Sequence, residues 1–114
     1  MLSEKVEYRS KESERTRKIF ESKLLFQMAK KQKLLQRLLS IPRDFTWGEL
    51  ETLLLYFGFE EERKGKTGGS RRKFVDASGN VINLHKPHPR DILKEYAIKQ
   101  VIERLRELGT LVNE

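Results

Sequence analysis

No cysteine occurs in the 114 residues, which excludes a disulfide framework and a thiolate metal site and fits a reducing compartment. No apolar run approaches the roughly 20 residues that a bilayer-spanning helix needs. The opening stretch MLSEKVEYRSKESERTRK also lacks the continuous apolar segment of a signal peptide. These absences describe a soluble, cytoplasmic chain without a membrane partner. Hydrophobic and charged residues are nearly balanced at 37% and 36%, so the core is modest and the surface strongly solvated. The length suits one compact domain with an appendage. The expected division is a charged tail and helical extension over residues 1–40 and a folded domain over residues 41–114.

Acidic residues are in deficit, 17 against 24 Lys+Arg, for a formal net charge of +7. The excess is segregated. Residues 1–40 hold 11 cationic and 5 acidic side chains, a net of +6. Between Arg63 and Arg90, eight cationic residues (Arg63, Lys64, Lys66, Arg71, Arg72, Lys73, Lys86 and Arg90) face only Asp76, a net of +7. A basic cluster of this kind implies an anionic partner.

Glycine and proline are missing from about Ser13 to Leu39, which permits a long helix, with Ile19, Phe20, Leu24, Leu25, Met28, Leu34, Leu35, Leu38 and Leu39 at helical steps. Residues 1–18 are mostly polar and are expected to be frayed or disordered. Whether the stretch makes one helix or two is open; Pro42 ends it. Thr46 and Glu49 fit a capping box opening a second helix, with an apolar stripe of Trp47, Leu50, Leu53, Leu54 and Phe57 and a stop at Gly58. Trp47 and Phe57 sit on helical spacing and read as core rather than base-stacking platforms. Residues 59–64 suggest a short strand, weakened by the run Glu60-Glu61-Glu62. Arg71–Val75 and Val81–Leu84 read as two strands joined through a hairpin centred on Ser78-Gly79-Asn80. Asp91 is placed to cap a last helix carrying Ile92, Leu93, Tyr96, Ile98, Val101, Ile102, Leu105 and Leu108, closed by Gly109. The expected fold is α+β: a three-stranded antiparallel sheet covered by two helices, the α-β-β-β-α order of the double-stranded-RNA-binding fold, with a helical extension in front. Fold alone does not give function.

The chemistry-bearing residues fall in two groups. The first is the glycine-rich turn at residues 65–70 with its flanking cations, where backbone amides, Arg63, Lys64, Lys66, Ser70, Arg71, Arg72 and Lys73 can approach phosphates. Guanidinium forks match phosphate oxygens well. The competing reading is a solvated hairpin whose charges guard a strand edge. GKTGGS does not match a Walker A loop, so ATP is not expected. The second group is Leu84-His85-Lys86-Pro87-His88-Pro89, which holds the only two histidines. His85 and His88 lack a third ligand other than Asp91 and stand beside Lys86 and Arg90, which disfavours a metal cation. Imidazole suits proton transfer in RNA cleavage, where a 2′-hydroxyl is deprotonated near neutral pH. No metal or other cofactor is expected.

Residues 43–112 resemble the HicA family of bacterial toxin–antitoxin systems. Gly58-Phe59 matches the glycine and aromatic that end the family's first helix. Gly69-Ser70-Arg71-Arg72-Lys73-Phe74 matches its Gly-Ser turn and following strand, Pro87-His88 falls near its Pro-x-His segment, and Leu93–Ile98 sits where its last helix begins. The resemblance implies a metal-independent, RNA-cleaving toxin acting on mRNA, neutralised by a cognate HicB-like antitoxin that covers the active face. The family's histidine follows the Gly-Ser directly, and here that position is Arg71. Arginine stays protonated and cannot act as a base at neutral pH, though it can stabilise a pentacoordinate phosphate. Cleavage then needs His88, His85 or another group as base; either the histidine has moved in this branch or the chain binds RNA without cutting it. A protein-interaction module docking a partner through the first helix is a third reading, and that helix is also a candidate homodimer contact.

Overall fold

The computed structural model describes residues 2–62 and 69–111, with side chains described from Ser13 onward. The expected Arg63, Lys64 and Lys66 contacts lie outside the described residues. Helix α1 (Leu2–Leu39) is a single helix. It takes in residues 2–18, a stretch of helix-compatible Glu, Lys and Arg that no proline or glycine interrupts. The chain divides into two compact units, residues 1–32 and residues 33–114. Within the first, Lys30 Nζ lies 4.7 Å over the Phe26 ring. The second contains the end of α1 and every other element.

In the second unit α1 stops where Ile41 adopts a φ of +50° ahead of Pro42, whose ring disfavours right-handed helix at the preceding residue. Helix α2 (Trp47–Tyr56) starts on the expected capping box: the Glu49 amide donates to Thr46 Oγ1 at 3.1 Å, and the Thr46 amide donates to Glu49 Oε1 at 3.0 Å. Gly58, at φ +91°, turns the chain out of the helix into a conformation costly for any residue with a Cβ. Strands β1 (Glu60–Glu61), β2 (Arg71–Val75) and β3 (Val81–His85) form one antiparallel sheet in the order β1-β2-β3. The β1 strand is only two residues long, in keeping with its glutamates.

Helix α3 (Glu95–Glu107) closes the domain. It begins three residues later than a cap at Asp91 would start it, and its N-cap, Lys94, makes no side-chain cap. Residues 91–93 instead run extended beside the start of α2. The Trp47 amide donates to the Asp91 carbonyl at 2.9 Å and the Leu93 amide to the Phe45 carbonyl at 2.8 Å, with a bridge between Thr46 and Ile92. This pairing buries Leu93 and leaves Ile92 exposed. Tyr96, expected on the apolar face of α3, is also exposed.

The core gathers Leu38 from α1, Phe45, Trp47, Leu50, Leu53 and Leu54 around α2, Phe59, Phe74, Ile82 and Leu84 from the sheet side, and Ile98, Val101, Ile102 and Leu105 from α3. Leu34, Leu35 and Leu39 pack on its margin. Trp47 is core, as expected, with its ring centroid 5.9 Å from that of Phe74. The described α+β order is therefore α-α-β-β-β-α. Arg37 ties the end of α1 to α2: Nε donates to Glu49 Oε2 at 2.8 Å, while Nη2 donates to Glu49 Oε1 and to the Asp44 carbonyl. The Arg37 bond and the Thr46 contacts hold the Glu49 carboxyl below the usual carboxylate range.

Candidate nucleic-acid interface

The β2–β3 hairpin sets the geometry of the surface. Asp76 Oδ1 accepts the amides of Ser78 (3.0 Å) and Asn80 (2.8 Å), and Oδ2 accepts the Asn80 side-chain amide at 3.0 Å. These bonds, the Asn80 side chain first, hold the Asp76 carboxyl below its ordinary value. With Gly79 at φ +85°, the turn fixes a register in which Arg71 pairs with His85, Lys73 with Asn83 and Val75 with Val81. A shift of one residue would send every one of these side chains to the opposite face.

Strand alternation then divides the basic run. Phe74, Ile82 and Leu84 are buried, so Arg71, Lys73, Asn83 and His85 stand on the outer face, each exposed. The Lys86 amide donates to the Ser70 carbonyl at 2.7 Å, and the Asp76 amide to the Asn80 carbonyl at 3.1 Å. Hydrogen-bonded pairs therefore fall on even positions of β2, and Arg71–His85 is a non-hydrogen-bonded pair, the type whose facing side chains come closest. Ser70 Oγ lies 3.4 Å from His85 Nδ1; with the proton on Nδ1, that nitrogen donates to the serine hydroxyl oxygen and Nε2 is left free to accept a proton. The Arg71 guanidinium has no hydrogen-bond or ion-pair partner among the described residues.

Arg72 does something different. Its side chain lies on the other face, where Nε sits 3.3 Å from Glu61 Oε2 and Nη1 donates to the carbonyls of Gly69 and Arg71. It braces the entry to β2 and is committed to structure. Lys73 stays on the outer face, with Nζ 3.5 Å from Glu62 Oε1. Lys86, His88 and Arg90 are exposed on the segment between β3 and α3, and their side chains have no hydrogen-bond or ion-pair partner among the described residues.

The structure thus brings together Ser70, Arg71, Lys73 and His85, and does not bring His88 into hydrogen-bond contact with any of them. Asn83, a neutral amide opposite Lys73 and next to His85 on the outer face of β3, was not singled out from sequence. The alternation of Ile82 and Leu84 with Asn83 and His85 was the signal that could have found it. Among the described residues, no group of three His, Cys, Asp or Glu converges as a metal site. No helix among them is long and apolar enough to cross a membrane.

Comparison with known proteins gives one match. The family model described as "HicA toxin of bacterial toxin-antitoxin" matches residues 47–109, more than half of the chain and the whole span from α2 to the end of α3. No curated protein and no solved structure matches the chain. Family membership carries with it a cognate antitoxin as partner. The chain belongs to the HicA family of toxins of bacterial toxin–antitoxin systems.

Proposed function

We propose that this toxin is a metal-independent endoribonuclease whose working surface is the outer face of β2 and β3. In this reading Arg71 and Lys73 bind phosphate, Ser70 orients His85, and His85 is the base. Lys86 and Arg90 extend the phosphate-binding surface, and Arg63, Lys64 and Lys66 are further phosphate ligands in this reading. The observation that carries the reading is the cross-strand pairing of Arg71 with His85, which sets an imidazole directly opposite the position where the family resemblance places its histidine.

The reaction this arrangement serves is transesterification of an mRNA phosphodiester. His85 takes the proton of the 2′-hydroxyl, and the resulting oxygen attacks the adjacent phosphorus. The P–O5′ bond breaks, leaving a 2′,3′-cyclic phosphate and a 5′-hydroxyl. Charge accumulating on the non-bridging oxygens is met by the Arg71 guanidinium, which is charged throughout the working pH range and forks onto two oxygens. His88 is the remaining imidazole available to protonate the departing 5′-oxygen. Positioned proton transfer of this kind contributes about 10²- to 10⁴-fold.

A second reading, RNA binding without cleavage, is favoured by one observation: Arg71 itself, which holds phosphate well and accepts no proton. Incubating the purified chain with mRNA in the presence of chelator separates the two. Fragments ending in 2′,3′-cyclic phosphate, lost on His85→Ala, support the nuclease; retained RNA binding with no fragments supports the binder.

A further inference from the structure

Helix α1 between Ile19 and Met28 carries a surface of exposed apolar side chains, with Lys30 Nζ over the ring of one of them, Phe26. Ile19, Phe20, Leu24, Leu25, Phe26 and Met28 are each between 45% and 67% exposed. Large apolar groups concentrated in this way mark an interaction site. They lie outside the family-matched span, so the surface is additional to the sheet face described above. The helix around them is basic: residues 13–32 hold six Lys+Arg (Arg15, Arg17, Lys18, Lys23, Lys30, Lys31) against Glu14 and Glu21, a net of +4.

At about 100° per residue, Phe20, Leu24 and Met28 recur every four residues as one ridge, while Ile19 and Phe26, seven apart, make a second ridge roughly 150° around the helix. Lys23 and Lys30 stand between the ridges, beside the second. This arrangement selects among occupants. A bilayer surface takes a helix with one apolar face and its charges on the opposite side; here the exposed Leu25 joins the ridges on the side away from Lys23 and Lys30, and burying both ridges from that side would bury Glu21 and Lys18, which flank Leu25. A second copy of α1 meets Lys23 and Lys30 with more cations than carboxylates. Nucleic acid uses the cations but leaves Phe20, Leu24 and Met28 in water.

We propose that residues 15–31 of α1 are a docking surface for an acidic, helical protein partner, which lays apolar side chains on the two ridges and places carboxylates against Lys23 and Lys30. Burial of the ridges supplies the affinity, and the lysine–carboxylate pairs set the choice of partner. Coiled-coil helices select one another by the same division of labour.

The test uses the full chain and a labelled synthetic helix of about three heptads, with leucine at the a and d positions and glutamate elsewhere. A second peptide carries lysine in place of glutamate. The expected result is binding of the acidic peptide at least about tenfold tighter than the basic one. That preference should fall about tenfold on Lys23→Glu with Lys30→Glu, and binding itself should fall about tenfold on Leu24→Ser with Met28→Ser. Circular dichroism checks that each variant keeps its helix, which is expected because all four positions face solvent or the helix margin. Equal affinity for the two peptides overturns the proposal. So does association of the chain with phosphatidylglycerol vesicles, or self-association by sedimentation, that is abolished by Leu24→Ser with Met28→Ser while the acidic peptide shows no preference.

Discussion

Arg71 and His85 face each other across the β2–β3 ladder as a non-hydrogen-bonded pair on the outer face of the sheet, one strand apart and fixed there by the Asp76–Asn80 turn. The relationship joins a permanent cation to the one imidazole that also has a hydroxyl, Ser70 Oγ, at 3.4 Å. Its neighbour in sequence, Arg72, is turned to the other face and held by Glu61. Two adjacent arginines thus have separate tasks, and substitution should separate them.

Arg71→Ala is expected to weaken RNA binding and to reduce the steepness of the logarithmic salt dependence by about 0.7 for single-stranded RNA, the loss of one phosphate contact. Arg72→Ala should leave that slope unchanged and lower stability by no more than about 1 kcal/mol, since its ion pair with Glu61 is half-buried. Binding titrations at several salt concentrations, with thermal melts, read both. Equal slopes for the two variants would contradict the assignment.

Arg71→His restores an imidazole directly after Gly69-Ser70, in the pattern that the family resemblance describes. With His85 left in place, cleavage is expected to rise above that of the natural chain, measured with a chelator present. A drop in cleavage would mean that the guanidinium contributes more as a phosphate ligand than an imidazole contributes as a base.

Much of this could be read in the residues before any coordinates. The Thr46–Glu49 box, the Gly58 stop and the 71–75 strand depend on interactions within a few positions, and local pattern suffices for them. Asp91 was misleading for a tertiary reason. The segment around it is held extended by backbone bonds to Phe45 and Trp47, partners more than 40 positions away, and a good cap residue does not outweigh them. The cationic run Arg71-Arg72-Lys73 was legible as charge but not as geometry. Only the burial of Phe74 and Leu84 decides which of the three cations face outward, and only the register brings His85 across from Arg71. His88, equally attractive by residue type, has no such register to place it.

The end of α1 and the start of α2 supply a pH-dependent test. Glu49 has its carboxyl lowered from an ordinary value of 4.5 by the Arg37 bond first and the Thr46 contacts after it. A depressed folded-state value means that stability is present above pH 4.5 and is lost as pH falls through the lower value. Glu49→Gln should therefore destabilise the chain at pH 7, and the difference from the natural chain should shrink in denaturant titrations as pH falls below 4.5. Thr46→Ala, which removes the hydroxyl cap, is expected to cost about 1 kcal/mol. A Glu49→Gln penalty that is the same at pH 7 and pH 3 would count against the ion pair.

Trp47 is the only tryptophan and is packed against Phe74 in the core, so its fluorescence reports the fold directly. Phe74→Ala is expected to destabilise by about 3–5 kcal/mol, with a red-shifted Trp47 emission at lower denaturant. An unchanged midpoint would place the ring outside the core.

The most direct test of the central claim is cleavage of mRNA in chelator by the natural chain, by His85→Ala and by His88→Ala, with binding measured in parallel. The expected result is a loss of about 10²-fold or more in cleavage for His85→Ala with RNA binding retained, and a smaller loss for His88→Ala. Undiminished cleavage by His85→Ala, or cleavage by the natural chain that disappears with chelator, would contradict the assignment of His85 as the base of a metal-independent nuclease.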